Sequence, residues 1–138
     1  MTKTRSLRPL TLLAVCLTGA TVLAGCNAVD GLLYKYSTTT FDDREALRAS
    51  EQIDERWIPS DAKNITLRAS TIGEDAVILV DSPSDLNILD CVEEPRTTAP
   101  SWRLDEAPDA YAHDTVYDCD GWWVLATDEG DGWYGWTM

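Results

Sequence analysis

The residues of this 138-residue chain with chemical potential are few: four cysteines, one histidine, 24 carboxylates and a C-terminal run of tryptophans. A histidine-dependent triad would rest on His113 alone. Its setting, YAHDT, places Asp114 beside it, but no serine or cysteine sits in a nucleophile elbow such as G-x-S-x-G. The pattern favours a loop histidine without catalytic duty. Neighbouring carboxylates (Glu93 with Glu94, Asp105 with Glu106) arise by chance in so acidic a chain. General acid–base work needs two carboxyl groups facing each other in a cleft with separated pKa values, which spacing does not supply.

Two acidic stretches invite a calcium reading, DCDG at 118–121 and DEGDG at 128–132. An EF-hand loop needs ligands at positions one, three, five and twelve, with glycine at six. Gly121 at six would put Val116 at one and Thr127 at twelve; Gly132 at six would put Thr127 at one and Met138 at twelve. Both registers fail, so the stretches read as turns and no cofactor is implied. The aromatic cluster is the remaining candidate. Trp122, Trp123, Trp133, Tyr134 and Trp136 fall close together, with Trp57 and Trp102 earlier. Exposed rings beside carboxylates would stack on sugars or hold a cation; buried rings would fill a core that contains only one phenylalanine. In strands, alternation sends Trp122 and Trp123 to opposite faces, and Tyr134 and Trp136 to one face with Trp133 on the other. Both uses stay open, with Trp122, Trp123, Trp133 and Trp136 as the stacking candidates.

The N-terminal segment is an address. Met1–Arg8 carries Lys3, Arg5 and Arg8 without an acid, and Pro9–Ala24 is uncharged, with Leu10, Leu12, Leu13, Val15, Leu17, Val22 and Leu23 as its apolar core. That order is the layout of a secretory signal peptide, and the uncharged stretch is shorter than the roughly 20 apolar residues a spanning helix uses. Leu23-Ala24-Gly25-Cys26 resembles the lipobox that ends the signal of bacterial lipoprotein precursors. The resemblance implies cleavage after residue 25, a diacylglyceryl thioether on Cys26, and a lipid anchor on the extracytoplasmic face of the cell membrane. More than one acyl chain is what stable attachment needs. From RWIPSDAKNITLRAS to the ending GWYGWTM, the chain is also similar to uncharacterised small lipoproteins of high-GC Gram-positive bacteria. That likeness implies no activity and no site beyond Cys26.

With residues 1–25 removed, 8 Lys and Arg stand against 24 Asp and Glu, a formal charge near −16. Such a surface lacks the clustered cations that nucleic acid requires, and it disfavours an electrostatic grip on anionic lipid. Cys16 leaves with the signal and Cys26 is lipidated, so Cys91 and Cys119 remain. In an extracytoplasmic chain they read as a disulfide closing a loop of about 28 residues, worth roughly 3–4 kcal/mol by loop-closure entropy. The competing metal site, Cys91 and Cys119 with His113, lacks a fourth ligand and any C-x-x-C spacing.

The elements follow from period. Residues 26–40 read as a lipidated tether, with Leu32, Leu33, Tyr34 and Tyr36 lying at the membrane interface or packing back. Residues 41–138 read as one domain. Phe41–Arg56 is patterned as a helix capped by Asp42, with Glu45 completing a capping box, Phe41 against Ala46, and Ala46, Leu47, Ala49, Ile53 and Trp57 along one face. Pro59 stops it. Ile65, Leu67 and Ala69 alternate, a Gly73-Glu74-Asp75 turn follows, and Ala76–Val80 is apolar throughout, so a hairpin is predicted. Cys91–Pro108, with three prolines, reads as a long loop. Thr115–Cys119, Trp122–Thr127 and Trp133–Thr137 read as a meander whose first turn is Asp120-Gly121. The expectation is an α+β domain: a small antiparallel sheet of about five strands, one N-terminal helix and one disulfide. The expected function is a non-enzymatic envelope lipoprotein that binds a partner or ligand in the cell envelope, an unknown envelope protein or glycan. A carbohydrate- or peptidoglycan-binding module using the C-terminal aromatics is the alternative, and an envelope hydrolase with acidic catalytic residues comes third.

Overall fold

Alternating and fully apolar runs become strands because each buries one or both faces of a sheet. The computed structural model, described at residue 33 and over residues 35–138, holds β1 (Tyr36–Asp43), β2 (Lys63–Ser70), β3 (Ala76–Asp81), β4 (Val92–Pro95), β5 (Thr115–Asp118), β6 (Trp122–Ala126) and β7 (Gly132–Thr137). Among the described residues all pair antiparallel in one sheet of order β1-β2-β3-β7-β6-β5-β4, with a short α-helix, α1 (Arg44–Ala49), after β1 and a 3-10 turn at Ala110–Ala112. The signal segment, Cys26 and most of the expected tether lie outside the described residues.

The domain is thus α+β and antiparallel, with seven strands where about five were expected. The two additions are the sheet's edges. β1 takes residues 36–40 from the expected tether; its run YSTTTFDD has no apolar alternation because an edge strand buries little, yet threonine suits extended backbone. β4 lies inside the expected proline-rich loop, and its four residues are all exposed. The helix is correspondingly short. Phe41 is still in β1, and the cap is Asp43, not Asp42: its Oδ1 accepts from the Ala46 N–H at 2.9 Å. Ser50 closes the helix by donating Oγ to the Leu47 carbonyl at 2.6 Å, and Glu51 follows at φ 56°. Only Leu47 of the helix is buried, so the stripe was too narrow to hold a longer one against the sheet. Trp57 and Ile58 reach the core from irregular backbone instead.

Both faces of the sheet are covered. On one, Ile65 and Leu67 of β2, Ile78 and Val80 of β3 and Trp122 and Val124 of β6 pack with Leu47, Trp57, Ile58 and Ala62. On the other, Val77, Val116, Trp123, Leu125, Tyr134 and Trp136 pack with Leu104, Ala107 and Ala110 from the segment between β4 and β5. The uninterrupted Ala76–Val80 run belongs to a strand buried on both sides, as central strands of doubly covered sheets are. Cys91, just before β4, is disulfide-bonded to Cys119, just after β5, across a separation of 28. Ser82 and Ser84 donate to the two oxygens of Asp61 at 2.6 and 2.7 Å, pinning the chain after β3 to the turn before β2 and holding the Asp61 carboxyl below its ordinary range.

β7 admits the indole of Trp57 because residue 135 has no side chain. A Cβ at Gly135 would stand 2.7 Å from Trp57 Cζ2 and 3.3 Å from Ile78 Cγ2, both in the core. Gly135→Ala is expected to destabilise the domain by about 1–3 kcal/mol, as overpacking of a close-packed core does. A shift of the urea midpoint to lower concentration at unchanged slope would show it; an unchanged midpoint would mean that the Trp57 ring is not lodged against β7.

Candidate functional site

The candidate stacking residues are held by β6 and β7, and the pleat separates them as alternation requires: Trp122 and Trp133 pack with one layer, Trp123 and Trp136 with the other. Their exposure decides their use. Trp122, Trp123 and Trp136 are 4%, 6% and 1% exposed. Trp122 meets Trp57 with ring centroids 5.9 Å apart, and Trp136 meets Tyr134 at 5.8 Å. The indole N–H groups of Trp57, Trp123 and Trp136 are buried without an acceptor, which fits rings selected for volume over hydrogen bonding. Three of the four rings are therefore part of the core. Trp133 alone keeps partial exposure, and its Nε1 donates to the Ser84 carbonyl at 2.9 Å.

The turns behave as turns. Asp120 and Gly121 both have positive φ, 56° and 97°, as the tight Asp-Gly hairpin turn demands. In the second stretch Thr127 Oγ1 donates to Asp131 Oδ1 at 3.0 Å, and Gly130 has φ 72°. Among the described residues no group of three or more His, Cys, Asp or Glu is arranged to hold a metal. His113 lines a cavity of about 350 Å³ with Glu93, Tyr117, Thr127 and Asp128, while its backbone carbonyl accepts from Arg96 Nε at 2.9 Å. Spacing named Asp114 as its companion, yet Glu93 and Asp128 are the carboxylates that share the cavity.

A surface groove that periodicity does not mark lies beside the disulfide. Asn87 builds a turn there: its Oδ1 accepts from the Leu89 N–H at 3.0 Å, its Nδ2 donates to Asp90 Oδ2 at 2.9 Å, and its carbonyl accepts from the Cys91 N–H at 3.1 Å. The turn turns Ile88 and Leu89 outward, 86% and 87% exposed, and Val92 of β4 is 60% exposed. Leu89 and Val92 line a groove of about 430 Å³ with Asp90, Glu94, Asp118 and Asp120. Arg56 and Asp90, 3.4 Å apart, and Asp120 join it to a second hollow of about 240 Å³ that reaches Trp57 and Cys119. Two bulky aliphatics between Asn87 and Asp90 were the available signal. They carry no period and sit outside any patterned element.

Charge is unevenly placed around this groove. Residues 35–70 carry six Lys and Arg against seven Asp and Glu, whereas residues 71–138 carry two against sixteen. The half of the chain that builds β3 to β7 is thus strongly anionic, and β1, β2 and α1 are nearly neutral. Compared with protein-family models, curated proteins and solved structures, the chain matches none of them.

Tyr134 reports on the layer beneath Trp102. Its ring is fully buried, its hydroxyl donates to the Trp102 carbonyl at 2.8 Å, and burial pushes its pKa up to about 12. A raised folded-state value means that the unfolded chain ionises first, so this contribution to stability is complete below pH 10 and is lost as pH rises from 10 to about 12. Absorbance titration should show a tyrosine ionising at about 12; absence of that step would place Tyr134 in solvent.

Proposed function

We propose that the protein is a lipid-anchored, extracytoplasmic lipoprotein, and that its domain is a non-enzymatic interaction module of the cell envelope. The LAGC sequence at 23–26 supports the anchor, and the Cys91–Cys119 disulfide is what an oxidising compartment outside the cytoplasm permits. No helix among the described residues is long and apolar enough to cross a membrane. The observation that carries the interaction reading is the outward pair Leu89 and Val92 on a groove that also holds Asp90, Glu94, Asp118 and Asp120, with exposed Ile88 next to Leu89 in the chain. Apolar side chains ringed by carboxylates suit a protein segment that offers both aliphatic and cationic groups. The hydrolase alternative draws on the His113 cavity, where no described hydrogen bond orients the imidazole. A glycan module would have Trp133 as its one partly exposed ring of the four.

Two experiments separate anchor from partner. Cys26→Ala is expected to give an unprocessed precursor that takes up no labelled palmitate; normal labelling would overturn the lipid assignment. A photo-cross-linking residue in place of Leu89, in the membrane-attached protein, should give a discrete protein adduct. The same probe in place of Thr127, past the end of β6 remote from the Asp120-Gly121 turn, should not. Equal labelling from both positions would remove the groove as the docking surface.

A further inference from the structure

The two edges of the sheet are defended very differently. At β4 the Arg96 N–H donates to the Asp114 carbonyl at 2.8 Å, and this fixes the hydrogen-bonding phase of the strand. Val92 and Glu94 turn their backbone groups toward β5, while Glu93 and Pro95 turn theirs away. Proline has no N–H, so this edge presents one outward donor, flanked by glutamates. Proline and inserted charge are the usual devices that keep an edge from pairing with another chain.

β1 has no proline, and its only charged residues, Asp42 and Asp43, sit at its C-terminal end. The Thr71 N–H donates to the Lys35 carbonyl at 2.8 Å, and pairing with β2 runs unshifted from Tyr36↔Ser70 to Phe41↔Ile65. The odd-numbered residues therefore bond to β2, and Thr38 and Thr40 turn their N–H and C=O groups outward. Both are exposed, no proline or bulge interrupts the run, and no described element lies beyond it. Local charge is also permissive: the near-neutral part of the chain is here, and the sixteen acids of residues 71–138 belong to strands from β3 outward and their connections.

We propose that β1 is a self-association edge, on which β1 of a second copy of this chain pairs antiparallel about a two-fold axis through Thr39. In that register Thr38 of each copy exchanges both backbone hydrogen bonds with Thr40 of the other. Lys35 of each copy then faces Asp43 of the other, with Asp42 next to it. Moving the axis to Thr38 puts Lys35 opposite Phe41, and moving it to Thr40 puts Lys35 opposite position 45, beyond β1 and inside α1. The pairing is isologous and closes on itself, and it continues the sheet with like faces side by side. It also places the two anionic β4 edges at the far ends of the assembly, which keeps self-repulsion low. A heterologous strand on the same backbone groups would lack the two-fold register, and that difference makes the occupant identifiable.

The test uses the full chain purified in mild detergent, with mass read by light scattering after gel filtration. A dimer is expected. Thr39 meets its own copy in a non-hydrogen-bonded pair, where Cα atoms stand about 4.5 Å apart, within disulfide reach. Thr39→Cys should therefore cross-link to itself on mild oxidation, while Glu93→Cys on the other edge and the unsubstituted chain should not. Thr40→Pro removes an outward N–H that the monomer does not use, and is expected to give a folded monomer. If that variant fails to fold, Lys35→Glu supplies the second arm, with dimer affinity expected to fall roughly tenfold. A monomeric wild-type chain at about 100 µM would overturn the proposal, as would a dimer that survives both Thr40→Pro and Lys35→Glu. So would equal cross-linking through Glu93→Cys, or a Thr39→Cys adduct with a different protein.

Discussion

A sheet that is apolar on both faces has to be covered twice, and this chain has little regular structure with which to do it. Residues 76–80 demand the arrangement: alternate side chains of one strand point to opposite faces, and Val77, Ile78 and Val80 are all fully buried. The first cover comes from α1 and the irregular backbone through Trp57 and Ile58; the second comes from the segment carrying Leu104, Ala107 and Ala110. Neither cover is a long helix, so large rings supply the area that helices would otherwise bury. That is why tryptophans crowd β6 and β7, why residue 135 must be glycine, and why indole N–H groups are left without acceptors. Each such group costs about 1–3 kcal/mol in desolvation, an amount comparable to what burying a large side chain returns.

What could be read from the residues was the part governed by period. The β2–β3 hairpin, the β5–β6–β7 meander with its Asp120-Gly121 turn, the Cys91–Cys119 pair and the opposed faces of Trp122 and Trp123 all follow from alternation, turn chemistry or cysteine counting. The edges did not, because their residues answer to solvent as much as to the core. Val92-Glu93-Glu94-Pro95 has the composition of a loop, and it is a strand only because β5 lies beside it. The aromatic cluster was legible as two faces but not as two buried faces: whether a ring is open depends on the cover, and those covers have no periodic signature. Ile88 and Leu89 escaped notice for the same reason, since a turn residue has no face to be on.

The polar features divide along the sheet. Acidic side chains and exposed aliphatics gather beside the disulfide at the β4 edge, where β4 and β5 are short and the covalent link between Cys91 and Cys119 holds what few hydrogen bonds would hold weakly. Cations gather toward β1, β2 and α1, where Arg68 lies 4.6 Å over the Tyr36 ring and Lys63 stands 3.6 Å from Asp43. The molecule thus presents two chemically distinct edges on one rigid frame. The anionic edge and the near-neutral edge thus draw on different residues.

The position of β7 has a consequence for how the chain is made. β1, β2 and β3 are joined in sequence, as are β4, β5 and β6, but the two sets meet only through β7, which is the last strand in the order and lies between β3 and β6. Until it arrives, each half-sheet ends in a raw apolar edge, and neither can complete its core. A chain made residue by residue therefore places its central strand last. Both halves of the sheet are complete only when residues 132–137 pair with β3 and β6.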